Sequence, residues 1–139
     1  MFTQEDNQRA EPKFIIFLTQ LLSLFRFCHT CTMPNPLVEA SQTGTLVVVK
    51  TVCNNPNCPK KESVWYSQPM ISGTSIPAGN FLLSMAILVA GGSASKVLRI
   101  FSHMGLAGIS LNTFFRHQRV CADNTFSFTL FKDYSNIKG

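Results

Sequence analysis

Two cysteine pairs constrain this chain more than any other feature: Cys28-His29-Thr30-Cys31 and Cys53-Asn54-Asn55-Pro56-Asn57-Cys58. Each pair can present two thiolates from one short loop, and an insert from Thr32 to Val52 separates them. A tetrahedral zinc ion takes four soft donors, so two such loops can close around one ion. The first pair has the usual two-residue gap; the second has four residues, the widest gap that still makes a knuckle. Asn54-Asn55-Pro56-Asn57 is a strong turn former and folds that wider loop. The spacing predicts the core of a four-cysteine zinc ribbon over residues 28–58, with Cys28, Cys31, Cys53 and Cys58 as ligands of a structural Zn2+. His29, inside the first knuckle, reads as a solvated residue rather than a replacement ligand.

Small metal-clamped folds need reduced thiols. The start of the chain, Met1 to Lys13, mixes Glu5, Asp6, Arg9, Glu11 and Lys13 and lacks the basic opening of a secretory signal. The expectation is a protein that is not secreted, whose cysteines favour metal over disulfide. The count of five cysteines leaves Cys121 unpaired in either case. Apolar residues make up 45% and charged residues 14%, enough to build a core in 139 residues. The net charge of +5 favours anionic partners, and its distribution says more than its size. No acidic residue lies between Glu62 and Asp123, while Lys96, Arg99, Arg116 and Arg119 fall in that interval. Phe81 to Ala90 is apolar but far shorter than the roughly 20 residues a spanning helix needs, so it reads as a buried helix and not a membrane segment.

Residues 1–12 are polar and read as a disordered tail. Residues 13–69 hold the ribbon and its apolar lead-in, strand-like at Phe14–Phe17 and helix-like over Thr19–Phe27. Leu37–Ala40 and Thr45–Cys53 read as strands around a turn at Ser41–Gly44, and Ser63–Gln68 as a third, with Trp65 and Tyr66 on opposite faces. Ser72 to Pro77 reads as a linker. Residues 77–120 then show helical periodicity: a helix over Phe81–Ala90 closed by Gly91-Gly92, a second over Ala94–Met104 capped by Ser93 or Ser95 and stopped by Gly105, and a third from Leu111 to about Val120 capped by Ser110. Residues 121–139 differ in character, with one strand-like run at Phe126–Phe131. The fold class expected is α+β: a three-stranded antiparallel zinc ribbon followed by a three-helix bundle.

A helix, a short glycine-containing turn and a capped helix with exposed cations form the helix-turn-helix pattern. Arg116, His117 and Arg119 are expected on the exposed side of the last helix, with Asn112 near its start. Lys96 and Arg99 precede them on the helix before. Arginine and lysine neutralise phosphates, and asparagine or arginine can read base edges, so DNA is the partner expected. No small-molecule substrate is expected. The acids Glu5, Asp6, Glu11, Glu39, Glu62, Asp123 and Asp133 are scattered, the histidines are isolated, and there is no phosphate-binding glycine loop, so no catalytic residues are expected. A closed four-thiolate site is structural, since catalytic zinc keeps an open position.

Several runs together resemble the region upstream of the catalytic core in transposase-like proteins of Kolobok-type DNA transposons: Val64-Trp-Tyr-Ser-Gln-Pro69, Ile76-Pro-Ala-Gly-Asn-Phe-Leu-Leu-Ser-Met-Ala-Ile-Leu88, Ser95-Lys-Val-Leu-Arg-Ile-Phe101 and Ile109-Ser-Leu-Asn-Thr-Phe-Phe-Arg-His-Gln118. The resemblance runs from Glu11 to Arg119. It implies metal ligation by Cys28, Cys31, Cys53 and Cys58 and an association with DNA, hence a nuclear location. Three departures stand out: the family's second cysteine pair has a two-residue gap, a THAP finger commonly precedes the ribbon, and an RNase-H-like domain with three catalytic acids follows the helices. Those acids are absent here, so transposition chemistry does not carry over. The leading expectation is a non-catalytic, zinc-binding, DNA-binding fragment of a transposase-derived protein. The alternatives are a protein-interaction module that ignores nucleic acid, and a small membrane protein.

Overall fold

The computed structural model describes residues 8–123. Its architecture is α+β, with one three-stranded antiparallel sheet and four helices. Strands β1 (Leu37–Thr43), β2 (Leu46–Val52) and β3 (Glu62–Tyr66) lie in the order β1-β2-β3. The central strand has the most β-branched sequence, as a strand flanked on both sides favours. Pairing of Thr43 with Leu46 leaves Gly44 and Thr45 as a two-residue hairpin turn. Val49 and Trp65 are direct cross-strand partners and so share a face. That face is covered by the lead-in.

The lead-in contains α1 (Leu18–Leu22), which continues into one 3-10 turn at Ser23–Phe25. Leu21 and Phe25 pack on Val49, which is wholly buried, and the Phe25 ring meets Trp65 edge-on with centroids 5.8 Å apart. The expected helix is therefore present but shorter than Thr19–Phe27. The expected strand at Phe14–Phe17 is not formed, because no described strand lies beside it to pair. In the polar start, residues 8–11 form a turn, and Lys13 Nζ donates to the carbonyls of Gln8, Arg9 and Glu11.

Ser72–Pro77 is not an open linker. Met70 and Pro77 form a bridge, Ile71 N–H donates to Ile76 O at 2.8 Å, and the Thr74 hydroxyl donates to Ile71 O at 2.9 Å. This closed loop buries Ile71 against Ala78, Phe81 and Met85 of α2 (Ala78–Val89). Helix α3 spans Ala94–Met104 and α4 spans Leu111–Asp123. Ser93 caps α3, and Gly105 (φ 68°) ends it while Leu106 N–H donates to Phe101 O at 2.8 Å, the Schellman arrangement. Ser110 Oγ accepts the Thr113 N–H at 3.1 Å and caps α4. The connection from Gly105 to Ser110 is longer than the three or four residues of a helix-turn-helix turn. Ile87, Ile109 and Phe114 form the second helical core, flanked by Leu83, Val97 and Leu98. The expected strand at Phe126–Phe131 lies outside the described residues.

A polar joint fastens α2 to the sheet. Asn80 is only 3% exposed; its Oδ1 accepts from the Thr45 N–H and from the Thr45 hydroxyl, both at 2.7 Å, and its Nδ2 donates to Thr43 O at 2.9 Å. Gln68 completes the joint, donating to Thr45 Oγ1 at 3.0 Å and accepting the Gly79 N–H at 2.5 Å. Two glycines make the approach possible. A Cβ at Gly44, itself at φ 60°, would stand 2.5 Å from Asn80 Oδ1, and one at Gly79 would stand 2.6 Å from Gln68 Oε1. The Ser-Gln-Pro and Gly-Asn runs of the sequence meet at this point.

Candidate metal centre

The first knuckle is a tight reversal between the lead-in and β1. Phe27 and Pro34 form a bridge, Cys28 N–H donates to Met33 O at 2.8 Å, and Thr32 N–H donates to Cys28 O at 2.9 Å. The second knuckle follows β2 directly, with Cys53 N–H donating to Lys61 O at 2.8 Å and Cys58 N–H to Asn55 O at 3.1 Å. Asn55 Oδ1 accepts the Asn57 N–H at 3.0 Å, which winds the wide loop into a turn. Asn54 Nδ2 reaches across to Asn35 O at 2.7 Å and ties one knuckle to the other.

The result brings all four sulfurs together. Cys28, Cys31, Cys53 and Cys58 have Sγ atoms within 4.8 Å of one another, with Cys31 to Cys53 at 3.4 Å and Cys28 to Cys58 at 3.8 Å. A tetrahedron with bonds of about 2.3 Å has sulfur–sulfur edges of about 3.8 Å, so the cluster has the size a zinc ion requires. These four residues could hold a metal ion. Cys53 and Cys58 are buried, whereas Cys28 and Cys31 are half-buried. The four-residue gap of the second pair does not keep its thiols apart from the first, because the Asn55 turn takes up the extra length.

The thiols do not titrate alike. Backbone N–H groups of Cys31 and Thr30 point at the Cys28 sulfur and bring its pKa down to about 6, against an ordinary 9.0. The Met33 backbone lowers Cys31 in the same way. At Cys53 the Asn55 N–H, 3.4 Å from the sulfur, pulls downward, but desolvation and the neighbouring thiols of Cys31, Cys28 and Cys58 outweigh it and push the value up to about 12. Desolvation raises Cys58 too. Four thiolates packed this closely repel one another, so the cluster becomes fully ionised only when a cation shares the space.

His29 is anchored away from the sulfurs: its Nε2 donates to Leu24 O at 2.9 Å, and its ring stacks on Phe25 with centroids 5.3 Å apart. It braces the knuckle against the lead-in, a role the sequence pattern did not signal.

The candidate DNA residues divide. Lys96 and Arg99 are exposed on α3; Asn112, Arg116 and Arg119 are exposed on α4, where their spacing of four and three residues sets them along one stripe. His117 does not join them. It is 4% exposed, turned between α4 and α2 with its Nδ1 3.0 Å from Ser84 Oγ and its ring 5.8 Å from that of Phe81. The reason is helical geometry: Phe114 is the buried anchor of α4, and the residue three further on lies on the same side. Phe115, by contrast, is 49% exposed. Ser84 gives its single hydroxyl proton to Asn80 O at 2.9 Å, so its oxygen accepts from His117 Nδ1–H. A serine beside a histidine suggests a nucleophile and its base, but Ser84 has no exposed surface, and a substrate cannot reach it in this arrangement.

No helix among the described residues is long and apolar enough to cross a membrane. A scan against protein-family models, a search of curated proteins and a search of solved structures each found no match to this chain.

Proposed function

We propose that this chain is a non-catalytic DNA-binding module, derived from a Kolobok-type transposase, whose zinc ribbon positions a helix-turn-helix-like unit. The convergence of four thiols within 4.8 Å carries the metal half of this reading. Zinc fits best among biological cations, because an all-thiolate tetrahedral site selects soft or borderline metals and leaves no open position for catalysis. The DNA half rests on the exposed stripe of Asn112, Arg116 and Arg119, with Lys96 and Arg99 on the preceding helix and no acidic residue among them. The arginines would neutralise phosphates, and Asn112 lies near the helix start where base contacts are made. DNA as partner places the protein in the nucleus.

Metal analysis tests the first half. The purified chain should carry one zinc, and a Cys53→Ser, Cys58→Ser variant should lose both the zinc and the sheet's circular dichroism; a metal-free wild type that is fully folded would overturn it. Salt titration tests the second half. Removing Arg116 and Arg119 together should make the slope of log K against log salt shallower by about 2, at about 0.9 per phosphate contact. Binding that is indifferent to salt or to the double substitution rejects DNA as the partner. The alternative of a protein-interaction module is favoured by one observation, the exposed apolar run from Phe14 to Leu18.

A further inference from the structure

The four sulfurs of the cluster sit in two different environments. Cys28 and Cys31 are half-buried, and His29, Thr30 and Thr32 around them are exposed, so solvent reaches the first knuckle. Cys53 and Cys58 are only 5% and 7% exposed. Two hydrogen bonds run from sulfur to sulfur, between Cys31 and Cys53 at 3.4 Å and between Cys28 and Cys58 at 3.8 Å. Each joins a reachable thiol of the first knuckle to a protected thiol of the second. A reachable sulfur with a second cysteine poised beside it is the arrangement of an oxidation-sensitive cysteine and its resolving partner.

We propose that the cluster is a site of oxidative modification by hydrogen peroxide, which converts its four thiols into two cross-knuckle disulfides, Cys31 with Cys53 and Cys28 with Cys58. The first step falls on Cys31 or Cys28, since a peroxide must touch the sulfur it oxidises. The thiolate attacks one peroxide oxygen, the O–O bond breaks, and the departing hydroxide takes up the thiol's proton and leaves as water. The sulfur is now a sulfenic acid. The facing thiolate of Cys53 or Cys58 attacks it, the S–S bond forms, the S–O bond breaks, and a second hydroxide leaves as water with the second proton. Each disulfide thus gives two electrons and two protons to one peroxide. An S–S bond is about 2.05 Å long, so the two pairs close by roughly 1.4 Å and 1.8 Å.

Pairing within each knuckle fails on access. It would join Cys28 to Cys31, both reachable, and leave Cys53 with Cys58, where a peroxide meets neither sulfur. Cross-knuckle pairing also keeps the fold. A disulfide sulfur is no longer a thiolate donor, so a cation held by the cluster is given up. The sheet stays, because Leu37 pairs with Val52 beside Cys53, and the new cross-links close the same end of the hairpin. The joined cysteines lie 22 and 30 positions apart, so the links also restrict the unfolded chain. Oxidation therefore yields a metal-free chain that is folded, unlike the reduced chain stripped of metal. Only the release of a cation rests on the metal half of the proposed function; the pairing of the sulfurs does not.

Disulfide mapping on the full chain decides the matter. Reduced protein is treated with hydrogen peroxide, quenched with N-ethylmaleimide and digested with trypsin without reduction. Cleavage after Arg26, Lys50 and Lys60 leaves Cys28 and Cys31 on one peptide and Cys53 and Cys58 on another. The two peptides should be recovered joined, and fragmentation between the cysteines should assign Cys31 to Cys53 and Cys28 to Cys58. Separate peptides with internal disulfides overturn the proposal. So do the opposite cross-pairing, a link to Cys121, or sulfinic acids in place of disulfides. The oxidised chain should shed its zinc, keep the circular dichroism of the sheet, and regain one zinc after dithiothreitol. Loss of the sheet on oxidation overturns the proposal as well. A chain purified without zinc counts against the proposed function alone, and the disulfide map still decides this one.

Discussion

Burial of His117 makes its proton part of the folding equilibrium. Desolvation lowers its pKa below the ordinary 6.5, Arg116 beside it pushes the same way, and a bond to Asn80 only partly opposes them. The unfolded chain therefore takes up a proton first as pH falls. The stability tied to this residue is complete above pH 6.5 and is lost as pH drops through the lowered folded value. The thermal midpoint should fall between pH 7 and pH 5, and His117→Gln should flatten that portion of the profile. An unchanged profile would mean that another group governs it. The misplacement of His117 by sequence has a physical basis. Phe114 and Phe115 are adjacent aromatics on one helix, and periodicity cannot say which of them faces the core. Only Ser84, thirty-three positions away in sequence, shows which side is in. Asn80 was hidden for the same reason, since its value lies in reaching Thr43 and Thr45 across the fold.

At the level of elements, what was legible depended on how local the cause is. Helix α3 could be bounded from sequence because Ser93 and Gly105 act within a turn of their own positions. Ser110 is equally local. Ser110→Ala should destabilise the protein by about 1 kcal/mol through loss of the bond to the Thr113 N–H, and hydrogen exchange should show the loss concentrated in the first turn of α4. Equal loosening of α3 would contradict it. Phe14–Phe17 went the other way: its residues have β propensity, but a strand exists only with a neighbour, and no described strand lies beside it. The loop at Ser72–Pro77 has no period to read, and its order comes from Ile71 being drawn into the core of α2. The four-cysteine cluster was legible because the turn chemistry of each knuckle lies between its own cysteines, although the Asn35 to Asn54 link between them was not.

Across the whole molecule, three small cores share the load: Leu21 with Phe25 and Val49, Ile71 with Ala78, Phe81 and Met85, and Ile87 with Ile109 and Phe114. None has much reserve, so Phe81→Ala should cost about 3–5 kcal/mol and leave little folded protein at 37 °C. Chelation should act at a distance. β2 ends at Val52 beside the Cys53 knuckle and begins beside Thr45, whose N–H is held by Asn80. Stripping the metal should therefore speed hydrogen exchange at Thr45 together with Cys53, while exchange confined to the knuckles would show the two ends to be uncoupled. The pairing of Leu37 with Val52 has a further consequence. The hairpin it closes is short-range, and it starts and ends at the two cysteine loops, so the chain need not search for its distant ligands. As the protein leaves the ribosome, everything that surrounds the four sulfurs has been made once Tyr66 has emerged, before the first residue of α2. A metal ion taken up by these thiols would then be captured while synthesis continues, and α2, α3 and α4 would be added to a sheet that is already locked.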